Sequence, residues 1–147
     1  EPAQARRRAL SRSTSDRVLA LAEHLAPGDR ELVEQVYRHG QALARVARAT
    51  GTSPHRLNRR LSRILQRMRD PLFHFVLARG ALMPREVQAV ARRVVLEGRS
   101  LRATARLTGL SLHRVRQHMA TVRTCHRLAE QGAPALSEAG SAAFNNH

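Results

Sequence analysis

Arginine is the residue type whose number and placement in this chain most clearly indicate a chemistry. All 26 basic residues are arginine, against 11 acidic residues, and the formal net charge is +15. Residues 56–69 contain six of these arginines and no acidic residue. Guanidinium groups match phosphate oxygens and the guanine edge, and the repulsion among six cations on one helix is relieved when phosphates bind. The composition therefore favours a nucleic-acid partner.

An eight-residue repeat at a spacing of 58 residues is the second signal. Residues 50–57 read TGTSPHRL, and residues 108–115 read TGLSLHRV. A short alanine-rich stretch precedes each copy, and a longer basic stretch follows it. This order is typical of a helix-turn-helix unit, in which a short brace helix holds a second helix so that its early residues reach base edges in the major groove.

Each copy also supplies the residues that such a unit requires. These are a small residue midway along the brace helix, a glycine in the turn and a hydrophobic residue about one turn into the second helix. They are Ala47, Gly51 and Leu57 in the first copy, and Ala105, Gly109 and Val115 in the second. Ser53 and Ser111 are expected to cap the second helices, and Ser100 the second brace helix.

Apolar residues at helical spacing predict an all-α protein of about eight helices. We expect two tandem helix-turn-helix lobes joined by a short connector helix. In order, the predicted segments are a disordered basic arm (1–13), a first helix-turn-helix domain (14–70), the connector (71–81), a second helix-turn-helix domain (82–130) and a disordered tail (131–147). Ser15 is expected to cap the first helix, and Pro27-Gly28 to end it.

The expected core is aliphatic, because the chain has three Phe, one Tyr and no Trp. The side chains expected to point inward from the two long basic helices are Leu57, Leu61, Ile64, Leu65 and Met68 in the first copy, and Val115, Met119, Val122 and either Cys125 or His126 in the second. On the second brace helix, Leu101, Ala105 and Leu107 are expected to face the core.

No catalytic, metal or cofactor site is expected. The carboxylates are scattered, and Cys125 and His126 are adjacent on a helix, which points them to different faces. A single cysteine excludes an intramolecular disulfide, and no CxxC pair is available for zinc. No apolar run approaches the length of a membrane span. We therefore expect a non-enzymatic, cytoplasmic and nucleoid-associated protein.

A family resemblance rests on further motifs in both copies. The first copy contains Leu25-x-Pro27, Tyr37-x-x-Gly40, Gly51-x-Ser53 and the ending Arg69-Asp70-Pro71. Through these, residues 25–71 resemble region 4 of bacterial sigma factors, the four-helix module that binds the promoter's upstream element. Residues 82–128 resemble the same module through Leu82-x-Pro84-Arg85-Glu86 and Val115-Arg116-Gln117, and their stretch 91–115 also resembles plasmid repressors of the KorA/TrfB type.

The resemblance implies a set of base-facing residues. They are the second, fifth and sixth residues after the capping serine: His55, Asn58 and Arg59, and His113, Arg116 and Gln117. Arginine can be bidentate to guanine, and Asn and Gln suit adenine. We assign phosphate contacts to Arg45, Arg56, Arg60, Arg63, Ser100, Arg102, Arg114 and Arg123.

The chain departs from the family pattern at three points. Arg45 and Ala103 stand where the family's brace helix commonly has Glu. The first residue of the second helix is Pro54 or Leu112 instead of a polar residue. No counterpart of sigma region 2 is visible, so this chain alone would not melt a promoter.

The function expected from these features is sequence-specific binding of duplex DNA as a transcriptional regulator. One alternative is an adaptor that docks to RNA polymerase or another transcription protein, which exposed apolar residues on the brace helices would favour. A second alternative is the DNA-end-binding part of a transposase or integrase. Homodimerisation is left open.

Overall fold

The computed structural model describes the backbone of residues 2–144 and the side chains of residues 2–132. Within these limits the chain is all-helical, as expected, with eight α-helices and no strand. The helices are α1 (Pro2–Ala22), α2 (Pro27–Tyr37), α3 (Leu43–Thr50), α4 (Pro54–Arg69), α5 (Pro71–Arg79), α6 (Arg85–Ala91), α7 (Leu101–Thr108) and α8 (Leu112–Phe144). A 3₁₀ turn (Gly80–Leu82) precedes α6, and a π-helical segment (Arg92–Leu96) follows it.

The chain forms two compact units, which divide within α5. The first unit contains the residues before Phe75 together with Val95–Gly98, and the second contains Phe75–Val94 and the residues from Arg99 onward. Each unit has a core of its own, which is aliphatic apart from the fully buried Phe73 of the first unit.

The core of the first unit forms where α4 packs against the three helices that precede it. Every third or fourth residue of α4 is buried, namely Leu57, Leu61, Ile64 and Met68. Val33 of α2 and Ala47 of α3 are at most 1% exposed and face this stripe. Burial of aliphatic side chains at this spacing supplies most of the free energy that holds the helices together.

The second unit repeats this plan around α8. Val115, Met119 and Val122 are at most 1% exposed, and Val90 of α6 is fully buried. Helices α6 and α7 both pack on α8. Of the two alternatives for the end of the α8 stripe, His126 is half-buried and Cys125 is exposed.

The inward face of α7 differs from the prediction. Leu107 is 50% exposed, and Thr104 is fully buried in its place, flanked by half-buried Leu101 and Ala105. An eight-residue helix has only about two turns, so its apolar residues do not fix its rotation, and packing against α8 decides which side is covered.

The repeat also holds for the buried positions and the left-handed glycines. Leu32 and Val33 of α2 are buried, and Val90 and Ala91 of α6 are buried 58 residues later. Gly40 and Gly98 both have positive φ, +60° and +67°, at a spacing of 58 residues. The spacing of 58 residues thus extends from the turn motif to the helices that precede it.

The first bonds of the two helices keep the same spacing. The Arg30 N–H donates to Ala26 O (2.9 Å), and the Gln88 N–H donates to Pro84 O (2.9 Å), 58 residues later. The Gln41 N–H donates to Gln35 O (3.0 Å), and the Arg99 N–H donates to Arg93 O (3.0 Å), again at a spacing of 58 residues. The π-helical segment Arg92–Leu96 therefore changes the hydrogen-bond pattern of the second copy without an inserted residue.

Helix α1 differs from the expectation of a disordered arm over residues 1–13. It is helical from Pro2, so Ser15 does not cap it, and Pro27 opens α2 instead of ending α1. Residues 2–14 are all exposed. Residues 2–14 lack apolar residues at helical spacing, which correctly predicted that they are not buried. They are nevertheless helical, because Ala, Arg and Gln are strong helix formers even where no side chain is buried.

The expected disordered tail over residues 131–147 also differs in its backbone, because α8 continues to Phe144. Residues 131–144 include five alanines, which favour helix, although Gly132, Pro134 and Gly140 do not. This stretch extends a helix that the packed residues Val115–Val122 have already nucleated. Residues 145–147 lie outside the described residues.

Candidate nucleic-acid interface

In the first unit, a tight turn sets the exit of α3 and the start of α4. Gly51 has a left-handed φ of +66°, and the Thr52 N–H donates to Ala47 O (2.9 Å), which closes the end of α3. The Ser53 Oγ accepts the Arg56 N–H (3.2 Å) and caps α4. These local bonds place the first turns of α4 on the surface.

The second unit uses the same turn between α7 and α8. Gly109 has a φ of +71°, and the Ser111 Oγ accepts the Arg114 N–H (3.2 Å). The Ser100 Oγ accepts the Ala103 N–H (3.1 Å) at the start of α7. Ser100 is exposed, and its hydroxyl hydrogen remains a donor for an anion.

All six residues that the resemblance assigns to base contacts are exposed. In each helix the three residues lie at relative positions i, i+3 and i+4, and therefore on one face. They are His55, Asn58 and Arg59 on α4, and His113, Arg116 and Gln117 on α8. Among the first seven residues of α4, only Leu57 is buried, and the corresponding residue of α8 is Val115.

Two of the six α4 arginines are paired with an acid, so the prediction of an uncompensated helix needs correction. Asp29, in the first turn of α2, accepts from Arg60 (Nη2–Oδ1, 2.8 Å) and from Arg67 (Nη2–Oδ2, 3.2 Å). The Asp29 side chain is 16% exposed and that of Arg67 is 21% exposed. Residues seven apart lie one above the other after two turns, which lets one carboxylate hold both guanidinium groups.

Arg67 has a second structural contact. Its Nε donates to the Leu96 carbonyl oxygen (3.3 Å). Both contacts of Arg67 are therefore structural and hold it within the first unit. The Arg60 side chain is 50% exposed, so part of it still faces solvent.

The other four α4 arginines are exposed and have no acidic partner among the described side chains. They are Arg56, Arg59, Arg63 and Arg69. Arg59 lies about 180° around the helix axis from the buried face, and Arg63 lies one turn further along. The cationic face of α4 thus consists of these four residues, with Arg60 at its edge.

The second unit pairs its acid closer to the start of the helix. Glu86 accepts from Arg114 (Nη2–Oε2, 2.6 Å) and contacts His118 (Nε2–Oε2, 2.8 Å). Arg114 is one of the residues assigned to phosphate, and Glu86 offsets its charge. Arg116 and Arg123 are exposed, and the described residues include no acidic partner for either.

The remaining assigned phosphate contacts are Arg45 on α3 and Arg102 on α7. Both are exposed. In each unit, the short helix thus adds one arginine beside the helix that carries the residues assigned to base contacts.

The sequence reasoning missed the acidic residues that clamp α4 and α8, although a signal for them exists. Pro27-x-Asp29 and Pro84-x-Glu86 place an acid two residues after a proline in both copies, at a spacing of 57 residues.

A third acid, Glu34, lies on α2 outside the candidate interface. The Arg30 side chain donates to it (3.0 Å) and lowers the pKa of its carboxyl below the ordinary value.

Comparisons of the chain with protein-family models, with curated proteins and with solved structures give no match. Within the described residues, no helix is both long enough and apolar enough to span a membrane.

Proposed function

We propose that this chain binds duplex DNA in a sequence-specific manner as a transcriptional regulator, and that each unit is a helix-turn-helix. In this proposal α3 and α7 are the brace helices, and α4 and α8 are the reader helices. One observation carries it: in both repeats, the outer face of the first turns of the longer helix is exposed, follows a capped turn, and is lined with arginine and amide side chains.

The exposed face at the start of each reader helix suits the major groove. An α-helix fits this groove, and side chains near its N-terminus contact base edges. The i, i+3, i+4 arrangement gives three adjacent side chains per helix. Arg59 and Arg116 offer a bidentate fork to guanine, and Asn58 and Gln117 offer paired donor and acceptor atoms to adenine.

The other exposed arginines supply contacts to the phosphate backbone. Arg56 and Arg63 flank the base-facing residues of α4, and Arg45 lies on its brace helix. Phosphate contacts fix the register of a protein on the duplex and supply most of the affinity that all sequences share. This division gives different roles to neighbouring arginines.

The two readers are unequal in this proposal. On α8, Glu86 pairs with Arg114 at the start of the helix, whereas on α4 the Asp29 pairs lie at Arg60 and Arg67, which leaves Arg56 and Arg59 without an acidic partner among the described residues. The α4 reader therefore contributes the larger share of phosphate binding, and α8 contributes mainly through Arg116 and Gln117.

The experiment that tests the proposal is a competition titration of a selected duplex against random duplex. It uses the wild type, the α4 variant H55A/N58A/R59A, the α8 variant H113A/R116A/Q117A and a control, R30A/R38A, on α2. We expect the two reader variants to lose most of their preference for the selected duplex and the control to keep it. A wild type without preference, or full preference in both reader variants, would contradict the proposal.

A second candidate function applies to the second unit, namely docking to RNA polymerase or another transcription protein. The observation that favours it is exposed apolar surface: Leu107 on the brace helix α7 is 50% exposed, Leu82 is 77% exposed and Leu128 is 62% exposed. The corresponding position on α3 is Ala49. Docking predicts that L107S abolishes cross-linking to RNA polymerase and that H113A/R116A/Q117A leaves DNA binding unchanged.

A further inference from the structure

The N-terminal half of α1 is a helix without tertiary support. Residues 2–14, here called the basic half of α1, are thirteen consecutive exposed residues. From residue 15 the helix becomes partly covered, with Val18, Leu19 and Leu21 half-buried and Ala22 buried. Helix α1 packs on α2 and α4 within the first unit. The basic half therefore extends as a continuation of an anchored helix.

The charge of this segment is uncompensated. It contains Arg6, Arg7, Arg8 and Arg12 and no acidic residue, and none of the four has an acidic partner among the described residues. Arg8 and Arg12 lie four residues apart, and like charges at this spacing destabilise a helix. A helix without packing is also only marginally stable in water. Binding of a polyanion would remove the repulsion and add the missing contacts.

The placement of the four arginines around the helix indicates the kind of polyanion. With about 100° between successive residues, Arg6, Arg7 and Arg8 together cover about 200° of the circumference, and Arg12 lies within about 40° of Arg8. Cations on opposite sides suit a helix that lies in a groove with a phosphate strand on each flank. A flat anionic surface would engage cations on one side only.

A lipid surface is disfavoured by the same segment. Helices that lie in a membrane interface bury a continuous apolar face. The only large apolar residue of the basic half is Leu10, which is 65% exposed, and the other apolar residues are alanines and Pro2. The segment thus offers charge without an apolar face.

We infer that the basic half of α1 is an additional DNA-binding element, which lies in a groove of the duplex and contacts phosphates on both sides. This inference rests on the proposed DNA-binding function and extends it to residues outside the helix pairs. At about 1.5 Å per residue the segment is about 20 Å long, enough to follow several base pairs. Its contacts contribute affinity for any sequence, because phosphates carry no base identity.

The first test is the salt dependence of binding to a mixed-sequence duplex, between about 50 and 200 mM salt. Each phosphate contact contributes about 0.9 to the slope of log K against log salt. We expect the full-length variant R6Q/R7Q/R8Q/R12Q to lower the magnitude of the slope by about 3 to 4. Glutamine keeps the helix propensity of the segment, so the variant removes charge with little change in helix formation.

A matched pair of variants controls for net charge. R7Q/R8Q removes two charges from the basic half, and R30Q/R38Q removes two from α2, where both arginines pair with Glu34. We expect the first variant to lower the slope by about 2 and the second to lower it much less. Equal changes would mean that only total charge matters, and they would overturn the inference.

Amide hydrogen exchange of residues 3–14 supplies a readout that does not depend on affinity. The inference predicts slower exchange in this segment when duplex is added. If the exchange rate and the salt slope both stay unchanged, the inference is overturned. It is also overturned if the four arginines are needed for sedimentation with phosphatidylserine vesicles while their replacement leaves DNA binding unaltered. If the wild type binds no duplex at all, the proposed function itself fails. If the wild type binds duplex and the R6Q/R7Q/R8Q/R12Q variant binds it equally well, only the inference about α1 fails.

Discussion

Arg59 and Arg63 lie one turn apart on α4, both exposed, and the proposed geometry gives them different partners. Arg59 shares a face with His55 and Asn58, which is the face assigned to bases. Arg63 lies further along the helix, where a reader helix leaves the groove floor and passes the phosphates. At the scale of single residues, position along the helix therefore separates specificity from general affinity.

Replacing each arginine with alanine tests this separation. We expect R59A to lose about 1–3 kcal/mol of discrimination at one base position. We expect R63A to weaken binding to all sequences and to lower the salt slope by about 1. Titrations of selected and random duplexes across a salt series measure both quantities, and similar losses on both duplexes from the two variants would contradict the assignment.

Asp29 is expected to be structural, because one carboxylate holds two arginines of α4. The D29N variant keeps the size of the side chain and removes its charge, so Arg60 and Arg67 lose an anionic acceptor while Arg67 stays largely covered. We expect D29N to lower the free energy of unfolding by about 1–3 kcal/mol, measured by urea denaturation. E31Q, an equal charge change at an exposed site on α2, is the control and should have little effect. Equal effects of D29N and E31Q would mean that the clamp adds no stability.

The Thr104 hydroxyl is a polar group inside the core of the second unit. Its Oγ1 is buried and has no hydrogen-bond partner among the described residues. The corresponding residue of the first copy, 58 positions earlier, is Val46. Because an unsatisfied buried hydroxyl is costly, we expect T104V to raise the free energy of unfolding by about 1 kcal/mol.

T108V is the matched control for T104V. The Thr108 hydroxyl donates to the Thr104 carbonyl oxygen (2.7 Å), so its removal should destabilise the unit. A loss of stability in both variants, seen in urea denaturation, would show that the Thr104 hydroxyl has a partner in solution.

At the scale of elements, the two turns before α4 and α8 depend on left-handed glycines. Gly51 and Gly109 have φ values of +66° and +71°, and a Cβ at either position would meet no atom within 4 Å. Alanine at either position is therefore expected to lower the free energy of unfolding by about 1–2 kcal/mol, because only the backbone conformation is unfavourable. Urea denaturation of G51A and G109A measures it. G132A, in a helical position of α8, should instead leave stability unchanged or raise it, and a gain from G51A would contradict the turn geometry.

The elements that local chemistry specifies could be predicted from the sequence. Ser53 and Ser111 cap their helices, Pro54 opens α4, and Gly51 and Gly109 adopt left-handed turns, because each depends on residues within one turn. The stripe Leu57, Leu61, Ile64 and Met68 is buried as its spacing predicts.

The features that the sequence did not predict depend on distant contacts or on helix formation without burial. The Asp29 pairs join residues 31 and 38 positions apart, which no local pattern shows. The rotation of α7, with Thr104 inside and Leu107 outside, is set by packing on α8. Helix α1 forms over residues that bury nothing, so apolar periodicity could not indicate it.

At the scale of the whole molecule, the few acids leave most of the positive charge without compensation. With 26 basic and 11 acidic residues, full pairing of the acids would still leave a large excess of arginine. The acids on α2 and α6 hold arginines within their own units: Asp29 clamps α4 and Glu86 contacts α8. Much of the excess lies on α3, α4, α7, α8 and the basic half of α1, and we propose that it contacts phosphate.

Sequence-specific binding is tested by selection from a random duplex library over a salt series, with sequencing of the retained fraction. The proposal predicts that one motif is enriched, that it contains two blocks of conserved bases, and that the block assigned to α4 disappears with N58A/R59A. Affinity for unselected duplex should fall steeply as salt rises. A retained fraction with no enriched sequence at any salt concentration would contradict sequence-specific reading by these helices.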